Sequence, residues 1–418
     1  MINQINNNLP KEWRKVKLGE VAGVLGGFAF KSSWFNKQRI GYPVIKIQNL
    51  GQDGFIDTQN IEYVDIDLVN KNISKFKVGY NDFFVAMTGA TAGKIAVLKD
   101  KNKDYYLNQR VGKFYIKDKN KLDFKYFYYS IFMPKNKIVL RQLADGSAQG
   151  NMSTGQIEEL LEINLPPLDE QKWIADILSA FDDKIELNNK IIKTLEEMAQ
   201  EVFKEWFIKF NFPVEFEVKN EKLKVKSVGY KDAGGKFVDS ELGKIPEGWE
   251  VKKIGDILSL EYGKALTAPN RKTGNIPVYA SSGIVGYHNE KLDNGPGIIV
   301  GRAGIPGSVY WSQTDFYCVD SAFYIKTTIS KYFVYYLLKY QNLESLVSGS
   351  AVPGLNRNMV YLNLAVLPNI EIINKFEDFI KPAFLKIYNL KVENQTLATL
   401  RDLLLPKLMS GEILVNSE

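Results

Sequence analysis

Side chains that could support catalysis are sparse in this sequence. It holds one cysteine, Cys318, and one histidine, His288, which excludes an internal disulfide, a Cys-rich zinc site and most His-dependent acid–base schemes. Residues 89–94 resemble a phosphate-binding loop, but three residues separate the glycines where four are needed. In addition, Ile95 stands where Ser or Thr would reach magnesium. We interpret this stretch as a turn between two strands with a cation beside it.

Two further enzyme-like patterns are also incomplete. Glu215, Glu217 and Lys219 have the spacing of a metal-nuclease strand, but no partner aspartate lies at a useful distance along the chain. The Asn/Asp-Pro-Pro-aromatic motif of amino-methyltransferases is missing, because Pro166 and Pro167 stand between two leucines. The sequence therefore predicts no catalytic constellation, no metal site and no cofactor in this chain.

Polar and basic residues are instead concentrated in predicted loops. Arg, Lys, Asn and Gln read base edges, and Lys and Ser also hold phosphates, although each residue alone is equally compatible with a solvated surface. We predict nucleic-acid contacts from these loops, and we interpret His288 as a structural or contact residue rather than a catalyst. The candidates in the first half are Lys31, Ser32, Ser33, Lys46, Gln48, Thr88, Thr91, Lys94, Gln109, Arg110, Gln149 and Asn151. Those in the second half are Lys264, Arg271, Lys272, Ser281, Ser282, Tyr287, His288, Arg302, Asn356 and Arg357.

Composition and charge narrow the class of protein. A hydrophobic content of 45% and an aromatic content of 12% are typical of a folded chain. No apolar run reaches the roughly 18 residues needed to cross a bilayer, and the N-terminus has no signal-peptide pattern, so we expect a cytoplasmic protein without membrane contact. Residues 1–165 carry 24 Lys and Arg against 16 Asp and Glu, whereas residues 166–212 carry 6 against 10. Basic lobes of this kind can hold a phosphate backbone while acidic helices stay away from it.

Two long helices are predicted to position the loops. Between Pro167 and Pro213 the chain has no proline or glycine, and its apolar residues alternate steps of four and three, as in the seam of a coiled coil. Roughly 40 helical residues would span about 60 Å. A long helix inside an ordinary core is the alternative. The seam consists of Ile174, Leu178, Phe181, Ile185, Ile192, Leu195, Ala199, Val202 and Trp206, with Asn188 as a polar member.

A second run after Pro368 keeps the same stepping, with Asn394 and Arg401 as its polar members. Pro382 falls inside this run, so the helix either starts there or kinks there. Many apolar side chains on the two helices lie outside the seam, and one helix pair cannot bury them all, which predicts a protein partner. The predicted partner-binding residues are Trp173, Ile177, Phe203, Phe207, Phe379, Phe384 and Leu400, and Ile191 and Met198 lie outside the seam as well.

An internal repeat covers nearly the whole chain, which indicates a duplication. Its matched stretches are 9–13 with 245–249, 16–21 with 252–257, 43–44 with 277–278, 87–93 with 301–307, 114–117 with 323–326, 125–129 with 331–335, 146–148 with 349–351, and 165–166 with 367–368. This alignment places Arg302 where the first half has Thr88.

Each half is predicted to be mixed α/β, so the fold class is α+β. Expected strands are residues 42–48, 82–87, 94–98 and 111–116, and expected aromatic amphipathic helices are residues 122–132 and 331–340. The predicted boundaries are a first domain at 1–165, a central helix at 166–212, a linker or hairpin at 213–244, a second domain at 245–368 and a C-terminal helix at 369–418.

These residues resemble the specificity subunit of type I restriction–modification systems over essentially the whole chain. The motifs that carry the resemblance are residues 9–13, 26–33, 87–94, 146–151, 165–171, 203–207, 245–249 and 400–413. The resemblance implies two target-recognition domains, each reading one half of a bipartite double-stranded DNA site, with the two helices packed antiparallel as a spacer. The second half departs from the first, since Ile372 and Ile373 replace Glu170 and Gln171 and the turn at Gly301 has no lysine, which implies an asymmetric site.

The resemblance further implies a subunit that catalyses nothing. Two DNA methyltransferase subunits and then two restriction/translocase subunits would dock on it, and S-adenosylmethionine, ATP and Mg²⁺ are expected on those partners. Two other interpretations of the sequence stay open: a nuclease or methyltransferase with its own active site, and a coiled-coil assembly protein that binds no nucleic acid.

Overall fold

The computed structural model describes residues 9–51, 54–65, 72–145, 151–214, 228–348 and 353–414. Packing divides the chain into two units. Unit 1 comprises Met1–Ile185 with Gln395–Glu418, and unit 2 comprises Glu186–Asn394. Both boundaries fall inside long helices, so each long helix contributes one part to each unit.

Unit 1 is built from antiparallel and mixed sheets and from short helices, and it is completed by the first part of one long helix and the last part of the other. Its strands are β1 (Arg14–Lys17), β2 (Ala22–Gly26), β3 (Phe35–Asn36), β4 (Tyr42–Ile45), β5 (Glu62–Val64), β6 (Lys77–Val78), β7 (Phe83–Ala86), β8 (Ile95–Val97), β9 (Tyr105–Leu107), β10 (Val111–Ile116) and β11 (Glu162–Leu165). Its helices are α1 (Leu18–Val21), α2 (Phe124–Phe132), α3 (Pro134–Asp145), α4 (Thr154–Leu160) and the start of α5 (Leu168–Phe203).

Strand β7 of unit 1 contributes side chains to two cores, one on each face of its sheet. The sheets have the orders β2-β10-β7-β8, β3-β5-β4-β9-β6 and β1-β11. Side chains alternate between the two faces of a strand, so Phe83 and Val85 of β7 enter the core under α2, while Phe84 and Ala86 enter the core beneath β4 and β9. The predicted strands and the aromatic helix are confirmed. The Asp123 carboxylate caps that helix by accepting a hydrogen bond from the Tyr126 N–H at 2.9 Å.

Unit 2 has the same plan. Its strands are β12 (Pro213–Val214), β13 (Val228–Gly229), β14 (Phe237–Ser240), β15 (Gly243–Pro246), β16 (Glu250–Lys253), β17 (Leu258–Tyr262), β18 (Ile276–Ala280), β19 (Gly283–His288), β20 (Gly297–Gly301), β21 (Val309–Ser312), β22 (Tyr317–Cys318), β23 (Ala322–Thr327), β24 (Val347–Ser348), β25 (Gly354–Leu355) and β26 (Leu364–Leu367). Its helices are α6 (Ile254–Ile257), α7 (Lys331–Tyr340), α8 (Arg357–Leu362) and most of α9 (Ile370–Ser410). Between α5 and the second lobe, β12 pairs with β13 and β14 pairs with β15.

Sheet topology confirms the internal repeat. The order β17-β23-β20-β21 repeats β2-β10-β7-β8, and the pair β16–β26 repeats β1–β11. The parallel pair β18–β22 likewise repeats the parallel pair β4–β9. The two halves of the chain therefore share a backbone scaffold, and their loops can be compared position by position.

The helices α5 and α9 pack antiparallel within each unit, which confirms the predicted coiled coil. In unit 1, Ile174 and Leu178 of α5 share a core with Leu405 and Leu408 of α9. In unit 2, Ile192 packs against Ile387 and Leu390. Outside this middle stretch both helices merge with the cores of the lobes. The true two-helix contact is therefore shorter than the seam in the sequence.

The ends of the helices are set by local chemistry. Helix α9 begins at Ile370, where the Asn369 side chain accepts a hydrogen bond from the Ile372 N–H at 3.1 Å. The helix continues through Pro382, so of the two alternatives for that proline, a start of the helix is wrong. Helix α5 passes into a π-helical turn at Lys204–Ile208, and Phe210, with φ of 58°, reverses the chain.

Polar side chains in the seam fix how the two helices pair. The Tyr129 hydroxyl donates to the Asp182 carboxylate at 2.6 Å, and the Arg401 guanidinium binds the other oxygen of that carboxylate. Burial, followed by the charge of Asp182, raises the pKa of the Tyr129 phenol. In unit 2 the buried Asn188 amide donates to the Asn394 side chain at 2.9 Å. Within the described ranges, no helix is both long and apolar enough to cross a membrane.

We predict that Asp182→Ala lowers the free energy of unfolding by about 1–3 kcal/mol, because it leaves the half-buried Arg401 guanidinium and the buried Tyr129 phenol without their shared acceptor. Asp176→Ala is the matched control on the same helix. The Asp176 carboxylate is exposed and pairs with Lys125 at 3.3 Å, so its loss should cost within about 0.5 kcal/mol. Urea unfolding measures both values, and equal losses would show that the Tyr129–Asp182–Arg401 contact does not stabilise the helix pair.

The single thiol should report the integrity of unit 2. Cys318 is fully buried, and burial raises the pKa of its thiol to about 12 from 9.0. Because the thiolate is the reactive form, we expect the native chain to react with a disulfide reagent at pH 8 at least about a thousandfold more slowly than the unfolded chain. Comparison of native and guanidinium-unfolded protein measures this ratio. Rapid native labelling would mean that unit 2 opens readily around β22.

Candidate nucleic-acid interface

Three loops of unit 1 meet at Met87. The Met87 N–H donates to the Arg110 carbonyl at 3.0 Å, and the Met87 carbonyl accepts from the Met152 N–H at 2.8 Å. These bonds bring the predicted candidates Thr88, Arg110 and Asn151 close together along the chain segments that meet at Met87. Thr91 and Lys94 lie on the same turn, which joins β7 to the antiparallel β8 and so confirms the interpretation of residues 89–94.

Sequence analysis missed Arg141, which the fold adds to this surface. A Cβ on Gly93 would lie 3.0 Å from the Arg141 backbone nitrogen, so helix α3 packs directly against the turn. The Arg141 side chain is exposed there. The available signal was Lys137 and Arg141, four residues apart and therefore on one face of a helix.

A second group of unit 1 candidates surrounds two aromatic rings. The Lys31 ammonium lies 5.2 Å from the centre of the Trp34 ring, and Ser32 and Ser33 are exposed in the same short turn. Lys46, in contrast, pairs with Glu62 and lies 3.4 Å from the centre of the Phe35 ring. The charge of Lys46 is therefore compensated inside the unit, which argues against the predicted phosphate contact.

The remaining unit 1 candidates are scattered. Gln48 is exposed in the turn after β4, and Gln109 is exposed beside the strand-like residue Phe28, to whose carbonyl its N–H donates at 2.9 Å. Gln149 lies outside the described residues.

In unit 2 the turn between β18 and β19 meets the turn after β20. The Ser281 N–H donates to the Ser321 hydroxyl at 3.4 Å, and the Arg302 N–H donates to the Ser321 carbonyl at 2.9 Å. Ser282 is exposed beside them, whereas Ser281 is buried, which argues against direct DNA contact by its side chain. Lys264 is exposed just beyond the end of β17.

Arg302 and Arg357 converge on Tyr262, an aromatic residue that sequence analysis missed. The guanidinium carbons lie 5.8 and 5.0 Å from the centre of the Tyr262 ring. Asn356, next to Arg357, serves the helix instead, because its side chain accepts hydrogen bonds from the N–H groups of Asn358 and Met359 and caps α8. We therefore correct the prediction for Asn356, whose side-chain oxygen is occupied by the helix.

The other unit 2 candidates lie at the opposite end of the β18–β19 hairpin, where Ile276 pairs with His288. His288 is buried, and its Nδ1 accepts the Lys272 N–H at 3.0 Å, so the structural interpretation fits and direct DNA contact by this ring does not. Arg271 donates to the Val285 carbonyl at 2.5 Å. Tyr287 and Lys272 are exposed.

The predicted partner-binding residues divide into two classes. Phe203, Phe207 and Phe384 are core residues of unit 2, with exposed fractions of 2, 5 and 7%. Their predicted exposure is wrong because α7 and the main sheet cover them; the Phe207 ring, for example, lies 4.9 Å from that of Phe333. Ile177 and Ile191 are half-buried, whereas Trp173, Met198, Phe379 and Leu400 are exposed.

Comparison with known proteins agrees with this architecture. The family model described as "Type I restriction modification DNA specificity domain" matches residues 10–197 and 246–372. The MjaIX specificity subunit of a type I restriction enzyme from Methanocaldococcus jannaschii is 29% identical, over 97% of this chain and 95% of its own length. The HindI specificity subunit from Haemophilus influenzae is 26% identical, over 60% of this chain and 69% of its own length.

A solved structure shares the fold. The crystal structure of a type I restriction–modification S subunit from M. genitalium covers 97% of this chain and 98% of its own, with a TM-score of 0.58 at 18% identity. Because the family model matches most of the chain, in both repeated halves, the chain belongs to the family of type I restriction–modification specificity subunits.

Proposed function

We propose that this chain is the sequence-specific double-stranded DNA-binding subunit of a type I restriction–modification complex, with one half-site read by each unit. The observation that carries the proposal is the repeated scaffold with unlike loop residues. Sheets of the same order hold Thr88, Arg110 and Asn151 in unit 1, but Ser282, Arg302 and Arg357 in unit 2. Different donors on the same scaffold favour different bases, which makes the site bipartite and asymmetric.

One part of the sequence argument for asymmetry needs a different interpretation. Gln171 is fully buried, and its amide binds the Lys121 and Pro166 carbonyls at 2.9 and 2.8 Å. Glu170 accepts a hydrogen bond from the Trp13 indole. Their counterparts Ile372 and Ile373 are buried as well. The replacement of Glu170 and Gln171 by isoleucines therefore changes how the first turn of each long helix packs. The proposed asymmetry of the DNA site depends instead on the loop residues.

We also propose that the chain is non-catalytic, with S-adenosylmethionine, ATP and Mg²⁺ held by partner subunits. Support comes from the burial of Cys318 and His288, the two side chains that most often act as nucleophile and base near neutral pH. Purified chain incubated with DNA and either S-adenosylmethionine or Mg²⁺ tests this directly. We expect binding without modification or cleavage, and activity without partners would favour the enzyme alternative.

We propose that two methyltransferase subunits bind first and that restriction/translocase subunits bind afterwards. The methyltransferase subunits dock on α5 and α9. Apolar side chains that the units leave exposed support a docking role: Trp173 is 49% exposed and Phe379 is 60% exposed. Large exposed aromatic residues on a charged helix are typical anchors of protein interfaces.

We predict that Trp173→Glu and Phe379→Glu each abolish assembly with the methyltransferase subunit, because a carboxylate cannot be buried in an apolar contact. Size-exclusion chromatography of the mixed subunits measures assembly. Slow labelling of Cys318 verifies that unit 2 is folded in the Phe379 variant, and urea unfolding verifies that unit 1 is folded in the Trp173 variant. Phe207→Glu is the contrasting variant: its site is in the core, so it should unfold unit 2 and expose the thiol. Normal assembly by both surface variants would remove these residues from the interface.

The two helices are proposed to set the gap between the half-sites. One heptad added to each helix beside the Asn188–Asn394 contact lengthens the spacer by ~10 Å and keeps the seam nearly in register. At ~3.4 Å per base pair this is about three base pairs, and DNA turns by roughly 100° over that distance. We expect methylation of the same two half-sites at a wider gap, with weaker binding because the DNA must twist or bend.

Methylome sequencing reads both the bases and the gap of this engineered complex. The matched control adds a heptad to α5 alone, which breaks the pairing with α9 and should prevent modification. Altered half-site bases with an unchanged gap would show that the helices do not measure distance.

A further inference from the structure

We propose that Tyr262, Arg302 and Arg357 form a binding site for DNA backbone phosphate on unit 2, and that unit 1 lacks its counterpart. The inference rests on the proposed DNA-binding function and assigns a role to three residues within it. Tyr262 ends β17 and is 53% exposed, Arg302 follows β20 and Arg357 opens α8. Three separate elements thus bring one aromatic ring and two cations together at the surface.

The two arginines are oriented without being neutralised. Arg302 Nε donates to the Asp320 carbonyl at 2.8 Å, and Arg357 Nη1 points to the Leu260 carbonyl at 3.5 Å. Across the described ranges, neither guanidinium is within ion-pair distance of a carboxylate. A carbonyl and a ring face hold a guanidinium in place but leave its full charge. Neither guanidinium therefore has an internal anion among the described residues, and each keeps N–H donors beyond the one that contacts a carbonyl.

The contacts that hold the two guanidinium groups against Tyr262 and the backbone favour phosphate over a base edge as the ligand. To read guanine in the major groove, an Arg side chain must extend into the groove and present two parallel donors. Here both side chains are drawn back onto the Tyr262 ring and are half-buried. They can meet only a group that approaches the protein surface. The phosphates of the DNA backbone have that position, and they accept hydrogen bonds from guanidinium groups.

The repeat identifies the equivalent positions in unit 1. The register pairs Ala22 with Ile116 in one sheet and Leu258 with Thr327 in the other, so Gly26 corresponds to Tyr262. Met87 corresponds to Arg302, because each donates its N–H to the carbonyl at the matching point before β10 or β23. The predicted match of Arg302 with Thr88 is wrong by one residue. The predicted match of residues 114–117 with 323–326 is wrong by two, because Ile116 corresponds to Thr327 in this register. Thr154 corresponds to Arg357, since each is the first residue of its helix.

The same three positions are also adjacent in unit 1. A Cβ built on Gly26 would lie 3.6 Å from the Met87 methyl carbon and 3.9 Å from the Thr154 methyl carbon. The three equivalent positions are therefore adjacent in both units. In unit 1 they carry no formal charge, whereas in unit 2 they carry two positive charges. It follows that the second half-site is held by a backbone contact that the first half-site does not have.

Salt dependence of DNA binding separates this role from base reading. Each phosphate contact contributes a slope of about 0.9 to the dependence of log affinity on log salt concentration. We expect the double variant Arg302→Gln, Arg357→Gln in the assembled complex to reduce the slope by about two. Affinity should fall by the same factor on the natural site and on a duplex with a scrambled second half-site. Fluorescence anisotropy across a potassium chloride series measures all three quantities.

Two comparison variants make the result specific. Lys231→Gln with Lys244→Gln removes the same charge from exposed residues of unit 2, and we expect the slope to remain near that of the unaltered complex. Arg302→Lys with Arg357→Lys should restore most of the slope, because phosphate accepts an ammonium, whereas a bidentate base contact would not be restored. Slow Cys318 labelling confirms that every variant is folded.

Three outcomes would overturn the proposal. One is an unchanged slope in the Gln variant. Another is an equal loss of slope in the lysine control. The third is relaxed selection at one base of the second half-site in methylome sequencing, which would assign base reading instead. All three leave the proposed function intact, since that fails only if the unaltered complex shows no preference for its own site over random duplex.

Discussion

Two polar contacts in an otherwise apolar seam determine how α5 pairs with α9. An apolar heptad repeat permits shifts by whole heptads, because every shifted register again brings apolar residues together. Asp182 with Arg401 in unit 1 and Asn188 with Asn394 in unit 2 remove this freedom, since any shift would leave polar side chains without partners. Each unit contains part of both helices, so the core of each unit is complete only in this register.

Duplication of a scaffold allows the two units to carry different surface residues on sheets of the same order. The sheets and caps must be retained because they bury the cores, as Phe83 does in unit 1 and Ile298 in unit 2. Loop residues that lie outside the cores are not under this packing constraint. Gly26 and Thr154 lie at the end of the sheet outside the core, and Tyr262 and Arg357 take their places in unit 2. Met87 is buried at the edge of the unit 1 core, and its counterpart Arg302 is half-buried beside the Tyr262 ring.

The sequence predicts most of the fold because its signals are local and periodic. Heptad stepping identified α5 and α9, and the polar members Asn188, Asn394 and Arg401 proved to be the residues that pair. Burial was harder to predict. Phe203, Phe207 and Phe384 lie outside the seam like Trp173 and Phe379, but the residues that cover them, such as Phe333, are distant in sequence. Periodicity on one helix carries no information about such contacts.

The candidate site shows that sequence patterns also miss a one-residue difference in the length of a turn. Matching glycines aligned Gly93 with Gly307 correctly, but the turn preceding them is one residue shorter in unit 2. The hydrogen bonds of Ala86 with Lys94 and of Gly301 with Ser308 reveal this difference. Arg302 therefore takes the place of Met87 and not of Thr88. Tyr262 was not predicted as a site residue, because an aromatic residue at a strand end is ordinarily part of a core.

Packing also restricts where the length of the helices can change. Ile174 and Leu178 belong to the core of unit 1, and Phe203 and Phe376 belong to that of unit 2, so an insertion near either end of α5 would rotate core residues out of a lobe. Only around Ile192, Ile387 and Leu390 do the helices pack with each other alone. Because a helix turns by about 100° per residue, whole heptads are the insertions that keep apolar faces together there. A change in helix length that preserves both cores is therefore confined to the middle of the helices and must occur in both at once.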